Sequence, residues 1–347
     1  MSATSSKASE TGEAARAAER RRFVEAAGYD PATIVALPAD ASPRRYFRLA
    51  GAVPPRLVMD VVPGSADFPP FLAIAAHLNA LGLSAPRVFA HDLDRGLAVI
   101  EDFGSDTFTR LIAAGRPEAP LYELAIDALA ALHDAPGGLD IDVPPYDFGP
   151  LDEELGMFTG WFVPQVAPST DADAFAKAFM ALWHRALADV ATRREALVLR
   201  DYHVDNLMVI PDRTGVAACG LLDFQDALAG AAAYDLVSLT QDARRDLAPG
   251  LEEALVARYL AARPGLDRDR FMADYWLLAA HRHTKIAGNF ERLSKRDGKH
   301  GYLVHIPRVL RLLDAALDRA GLSDIRALMD GALPGWRAHA PVPPAGA

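Results

Sequence analysis

The chain has 347 residues, 51% of them hydrophobic and 24% charged, a formal net charge of -10 and a single cysteine. That is a globular composition, long enough for two domains at ~150 residues each. The acidic balance argues against nucleic acid as the main partner. Lone Cys219 rules out an intramolecular disulfide and fits a reducing, cytoplasmic setting, and no apolar run approaches the ~18 residues of a membrane span.

In chain order, residues 1–20 read as a disordered tail, because MSATSSKASETGEAARAAER has no apolar signal core and carries acidic residues foreign to a transit peptide. AERRRFVEAAGYD then reads as an amphipathic helix ending near Gly28. The period changes in RRYFRLA, PPRLVMDVV, APRVFAHD and GLAVIEDF, short apolar or alternating runs separated by Gly, Pro and Asp, which predict antiparallel strands. Between the second and third, PPFLAIAAHLNALGL predicts one helix over Pro70–Leu81, with Leu72, Ala75, Ala76, Asn79 and Ala80 along one face.

Past Gly104 the chain turns mainly helical, in YELAIDALAALHD, LGMFTGWFV, DAFAKAFMALWHRALADVATR and LEEALVARYLAAR. One compact β-like interruption, from Leu197 to Phe224, breaks this helical half. The predicted class is therefore α+β, with a small antiparallel-sheet N-lobe at 21–103, a larger helical C-lobe at 104–335 and a second disordered tail at 336–347. No Walker loop, dinucleotide-binding glycine pattern or internal repeat is present.

The chemistry concentrates in that interruption. VLRDYHVDNLMVI places Asp201 five residues before Asn206, and GLLDFQDA places Asp223 seventeen residues beyond Asn206. Phosphoryl transfer needs a group that orients and deprotonates the attacking hydroxyl, and oxygen ligands for magnesium on the nucleotide phosphates. Asp201 is read as the base, and Asn206 and Asp223 as magnesium ligands. Asp205 reads as a loop cap, and His203 is open between a substrate role and a place within the loop.

The run Arg200–Asn206, the segment Leu222–Asp226 and the downstream Tyr234-Asp235-Leu236 resemble the aminoglycoside phosphotransferase and choline kinase group, which has a two-lobed protein-kinase-like fold. The resemblance implies ATP and magnesium as cofactors, with adenine reading the backbone at the Glu101 carbonyl and Phe103 amide. It also implies that Asp235 supports the catalytic loop and that residues 39–48 cover the phosphates. One departure stands out. Leu57–Val61 has no Lys, and Pro70–Leu81 has no Glu to pair with one, so Arg44, Arg45 and Arg48 are the available phosphate cations.

Within the group, SPRRYFRL, VMDVVPG, APRVFAHDLDRG, RDYHVDNL and RHTKIAGNFERL are most similar to the anomeric amino-sugar kinases of bacterial cell-wall recycling. Those enzymes act on the C1 hydroxyl of N-acetylmuramate and N-acetylglucosamine. From His281 to Arg311 there are eight Lys and Arg against Glu291 and Asp297, which suits a neutral or anionic ligand better than a cationic one. His203, Arg282, His283 and Lys285 are the candidate sugar contacts, with Trp161, Phe162, Tyr275 and Trp276 as possible stacking rings. The expectation is a monomeric sugar kinase. Its alternatives are a kinase of aminoglycosides, choline or ethanolamine, or ketosamines, or a nucleotide-binding module without catalysis.

Overall fold

The computed structural model describes residues 3–38 and 44–343, with side chains from Gly12 onward. It divides into two compact units, residues up to 117 together with 204–226, and residues 118–203 together with 227 onward.

In the first unit, α1 (Ala3–Ala26) leads into β1 (Ile34–Ala36), β2 (Arg45–Leu49), β3 (Arg56–Asp60), α2 (Phe68–Ala80), β4 (Val88–Asp92), β5 (Leu97–Glu101) and α3 (Phe108–Ala113). The five strands pair antiparallel in the order β1-β2-β3-β5-β4. One sheet face packs on α1, where Val24 joins Phe47, Leu49, Val58, Leu97 and Val99 in a buried cluster. Alternation along β3 explains the split. Val58 points to that cluster, while Leu57 lies on the other face.

Residues 12–20, expected to be disordered, are helical instead. Arg16 and Arg20 both bond to the buried carboxylate of Asp60, Arg16 through Nε at 2.8 Å. A charge buried at a strand end needs such partners, and this ties the helix down. The helix α2 also differs from its expected face. Phe68, Phe71, Ile74, Ala75 and Leu78 are buried, so the apolar stripe begins two residues before Pro70 and is carried by the aromatic residues.

The second unit follows with α4 (Glu118–Asp134), α5 (Phe148–Met157), a π-helical turn Phe158–Phe162, α6 (Val163–Val166), α7 (Ala172–Leu187) and β6 (Ala196–Val198). The strands β7 (Leu207–Val209) and β8 (Cys219–Leu221) return to the first unit, and β9 (Leu228–Gly230) to the second. Then come α8 (Ala233–Thr240), α9 (Leu251–Ala262), α10 (Arg268–Asp297), α11 (Ile306–Arg319) and α12 (Ser323–Ala332). The β-like stretch Leu197–Phe224 is thus two separate ribbons, β6 paired with β9 and β7 with β8.

Helix α10 is the axis of the second unit, flanked by α5, α8, α11 and the π turn. At Gly288 any Cβ would come within 2.2 Å of the Met157 backbone, so only glycine permits this close approach. The expected C-terminal tail is partly ordered. Trp336 is fully buried with its indole N–H on Asp330 at 2.9 Å, and His339 reaches Glu291 at 3.0 Å.

Candidate active site

The first unit holds a cavity of about 370 Å³ with an apolar wall that includes Leu57, Phe71, Ile100, Met208 and Leu222. Glu101, Asp102 and Phe103 line it, as do Asp205, Asn206 and Asp223, and Arg44 is the one cation among its lining residues. Leu57 and Phe71 stand where the missing Lys and Glu were looked for. Phe71 stacks on Phe224 with ring centroids 5.4 Å apart. A Cβ at Gly220 would lie 2.9 Å from the Phe103 ring, so the hairpin must be bare at that point for the ring to fit.

The β7–β8 hairpin sets the two magnesium-ligand candidates side by side. Leu222 N–H donates to the Asn206 carbonyl at 3.0 Å, so Asn206 and Asp223 flank the same end of the ladder. The hairpin is itself anchored, since Leu221 N–H donates to the Ser84 carbonyl and the Ser84 hydroxyl donates to Ala217. Asp223 has φ of 58°, a left-handed conformation that Asp tolerates better than most residues. Asp205 accepts from the Thr109 hydroxyl, which agrees with a loop-capping role.

The hairpin expected over the phosphates lies outside the described residues at 39–43, and the three arginines beyond it separate. Arg44 is buried, donates to Gln225 Oε1 at 2.7 Å, and stands 3.6 Å from Asp223. Arg45 lies over Phe47, in the cluster under α1, and pairs with Glu13. Arg48 is bonded to Asp102 at 2.6 Å. Neither Arg45 nor Arg48 lines the cavity, because alternation along β2 and a local acid claim them; Arg44 alone of the three does so.

The second unit holds a smaller, polar cavity of about 70 Å³ lined by Asp201, His203, Tyr234, Arg244, Arg282, Lys285 and others. Leu199 and Arg200 donate their backbone N–H groups to the fully buried carboxylate of Asp235, at 2.6 and 2.8 Å. Tyr202 donates its hydroxyl to Ala125 at 2.7 Å. These bonds hold Arg200 at φ of 69° and thereby fix where Asp201 starts. Burial raises the Asp235 pKa to about 7, against the pull of the two amides. At Asp201 burial pushes upward too, but Lys285, Arg282 and other nearby charges outweigh it and hold the carboxyl below the usual range. Asp201 is therefore ionised at neutral pH. Burial, then Arg244, lowers the His203 pKa and leaves that ring uncharged there.

Of the four sugar-contact candidates, His203, Arg282 and Lys285 line this cavity and His283 does not. His283 is fully buried and bonds Gln241 at 2.9 Å. Helix geometry is the reason. Arg282, Lys285, Ile286 and Asn289 share one stripe, whereas His283 lies off it. The stacking rings go elsewhere as well: Phe162 is buried among Phe158 and His339, Tyr275 bonds Thr240, and Trp276 packs under Arg319. Trp161 is not among the lining residues either.

Glu154 went unread in the sequence, and Gln225 was read only as part of the segment Leu222–Asp226, with no role of its own. Glu154 is 1% exposed and accepts from Tyr146 at 2.6 Å, from Lys285 at 2.8 Å and from Arg200. These cations hold its pKa down in spite of burial. It braces both the residue before Asp201 and a cation beside it. No local signal could have revealed this, because Lys285 is 131 positions away.

A family model for phosphotransferase enzymes matches residues 33–272. The chain belongs to the phosphotransferase enzyme family. It is 38% identical to the N-acetylmuramate/N-acetylglucosamine kinase of Caulobacter vibrioides, over 92% of this chain and 97% of that one. It is 33% identical to the enzyme of that name from Pseudomonas aeruginosa, over 83% and 85%. A choline/ethanolamine kinase family protein of Mesorhizobium loti shares the fold of this phosphotransferase at 16% identity, with a TM-score of 0.57 over 95% of this chain and 99% of that one. Among the described residues, no helix is long and apolar enough to cross a membrane.

Proposed function

We propose that this phosphotransferase is an ATP-dependent kinase of the anomeric hydroxyl of N-acetylmuramate and N-acetylglucosamine, serving cell-wall sugar recycling. The observation that carries the reading is the cavity around Asp201. One ionised carboxylate faces Arg244, Arg282 and Lys285, a surplus of positive charge that suits an acidic or neutral sugar and repels a cationic alcohol. The likeness to the two bacterial sugar kinases, over most of the chain, supports it.

In this reading ATP binds the first unit's cavity, with the purine on its apolar wall and Glu101 and Phe103 supplying backbone contacts. Arg44 grips the phosphates. Asn206 and Asp223 carry the hard oxygen donors that magnesium prefers and would hold it, with Arg44 a cation already standing beside Asp223. Magnesium, when bound, neutralises the phosphates as charge develops on the leaving group. Asp201 accepts a hydrogen bond from the sugar C1 hydroxyl and aims its oxygen. The new bond joins that oxygen to the γ-phosphorus, the bond to the β,γ-bridging oxygen breaks, and the hydroxyl proton passes to Asp201. A carboxylate of lowered pKa is a weak base, so it takes the proton late, as suits a loose phosphoryl transition state.

Purified protein with ATP and magnesium, assayed against N-acetylmuramate, N-acetylglucosamine, kanamycin and choline, tests the reading. Sugar 1-phosphate and ADP in equal amounts are expected. Turnover of the cationic alcohols alone would sink it.

A further inference from the structure

Gln225 is a neutral polar side chain set among the charged groups at Arg44, and its two ends face partners of opposite charge. Its carbonyl oxygen accepts from Arg44 at 2.7 Å, while its amide nitrogen donates to Asp223 at 3.1 Å and to Asp226 at 3.0 Å. The orientation is forced by chemistry, because a guanidinium only donates and a carboxylate only accepts. The residue is 8% exposed and follows Phe224, which Phe71 holds by stacking, and the Arg44 guanidinium lies 6.0 Å from the Phe71 ring centre. A Glu here would face two carboxylates, a Lys would face Arg44, and an apolar residue would take this acceptor from the buried Arg44 guanidinium.

Resting on the reading that the first unit's cavity takes the nucleotide, we infer that Gln225 is a positioning residue that ties the phosphate-gripping Arg44 to the metal-holding Asp223. Arg44, bonded to Asp67 at 3.3 Å and 3.6 Å from Asp223, is a counter-charge of the Asp223 carboxylate before nucleotide arrives. A metal ion alone must compete with the guanidinium for Asp223. A metal–nucleotide complex brings the phosphates that Arg44 can turn to, so the two bind together far better than the metal alone. Arg44 and Gln225 therefore act as one unit on nucleotide affinity, and Arg44 has opposite effects on the bare metal and on the nucleotide.

The test is a double-mutant cycle of Arg44→Met and Gln225→Met on the full chain, reading ATP binding by calorimetry, Mn2+ binding without nucleotide by electron paramagnetic resonance, and KM for each substrate. Arg44→Met is expected to weaken ATP about tenfold or more while tightening free Mn2+, and Gln225→Met to weaken ATP by about three- to tenfold, both with the sugar KM unchanged. In the Arg44→Met background the Gln225 substitution should have no further effect on ATP. Gln225→Glu, of the same shape, guards against misfolding. It keeps an acceptor for Arg44 by full charge and is expected to weaken ATP as well. Multiplicative losses in the double variant, or Mn2+ binding weakened by Arg44→Met, would overturn the coupling. Wild-type protein that binds no ATP would instead overturn the functional reading beneath it.

Discussion

The two cavities solve opposite charge problems. The first unit's cavity is large and apolar along one wall and carries carboxylates against one buried arginine, so its lining is short of positive charge. The second unit's is small and polar and sets three cations against Asp201, so its positive charge is built in. Under the proposed function, the difference teaches where each ligand's charge would be met: a triphosphate would arrive with its own counter-ion, whereas a sugar acid would have to find one in the protein.

The sharpest way to break that comparison is Asp201→Asn. It should cost about 10²–10⁴-fold in kcat while calorimetric ATP affinity stays at the wild-type value, because only the second cavity changes. A parallel loss of ATP binding would mean that the cavities are not separable. Arg282→Met should raise KM for N-acetylmuramate about tenfold or more and disturb N-acetylglucosamine far less, if the lactyl carboxylate is what the surplus charge meets. Equal effects on both sugars in steady-state kinetics would count against that.

Lys285→Met sharpens the electrostatics. If Asp201 is the base proposed above, its lowered pKa means that activity should be retained through neutral pH and lost as pH falls through that lowered value. Without Lys285 burial is less opposed, and the acid limb of the kcat/KM profile should move to higher pH. Gly220→Ala should destabilise the first unit by about 1–3 kcal/mol, through the crowding of Phe103, read as a lowered melting temperature. The smallest effect expected is at His283, where Gln should leave both sugar KM values unchanged.

Legibility from sequence followed the range of the interactions. The Asp201–Asn206 motif stood out in the sequence because it is short and runs straight into β7, and the sheet was readable because alternation is a property of each strand by itself. The face of α2 was misread because Phe68 and Phe71 precede or straddle the prolines that mark its start. The basic stretch His281–Arg311 was read as a sum, yet a helix spreads its residues around an axis. Only Arg282 and Lys285 of that stretch's cations line the cavity, while Arg308 goes to Asp246. Glu154 reaches Arg200 and Lys285, 46 and 131 positions away, and Gln225 reaches Arg44 across 181, which no periodicity encodes.

The chain passes from the second unit to the first between His203 and Val204, and back after Asp226. Neither unit is a continuous stretch of gene. A fragment ending at residue 117 would lack the β7–β8 hairpin that Ser84 anchors, and so would carry part of the apolar wall of its cavity without Asn206 or Asp223. Swapping sugar specificities among relatives by exchanging a contiguous half would therefore carry the wrong boundary. A transplant that respects this fold must move two segments together and leave the Val204–Asp226 loop with its host.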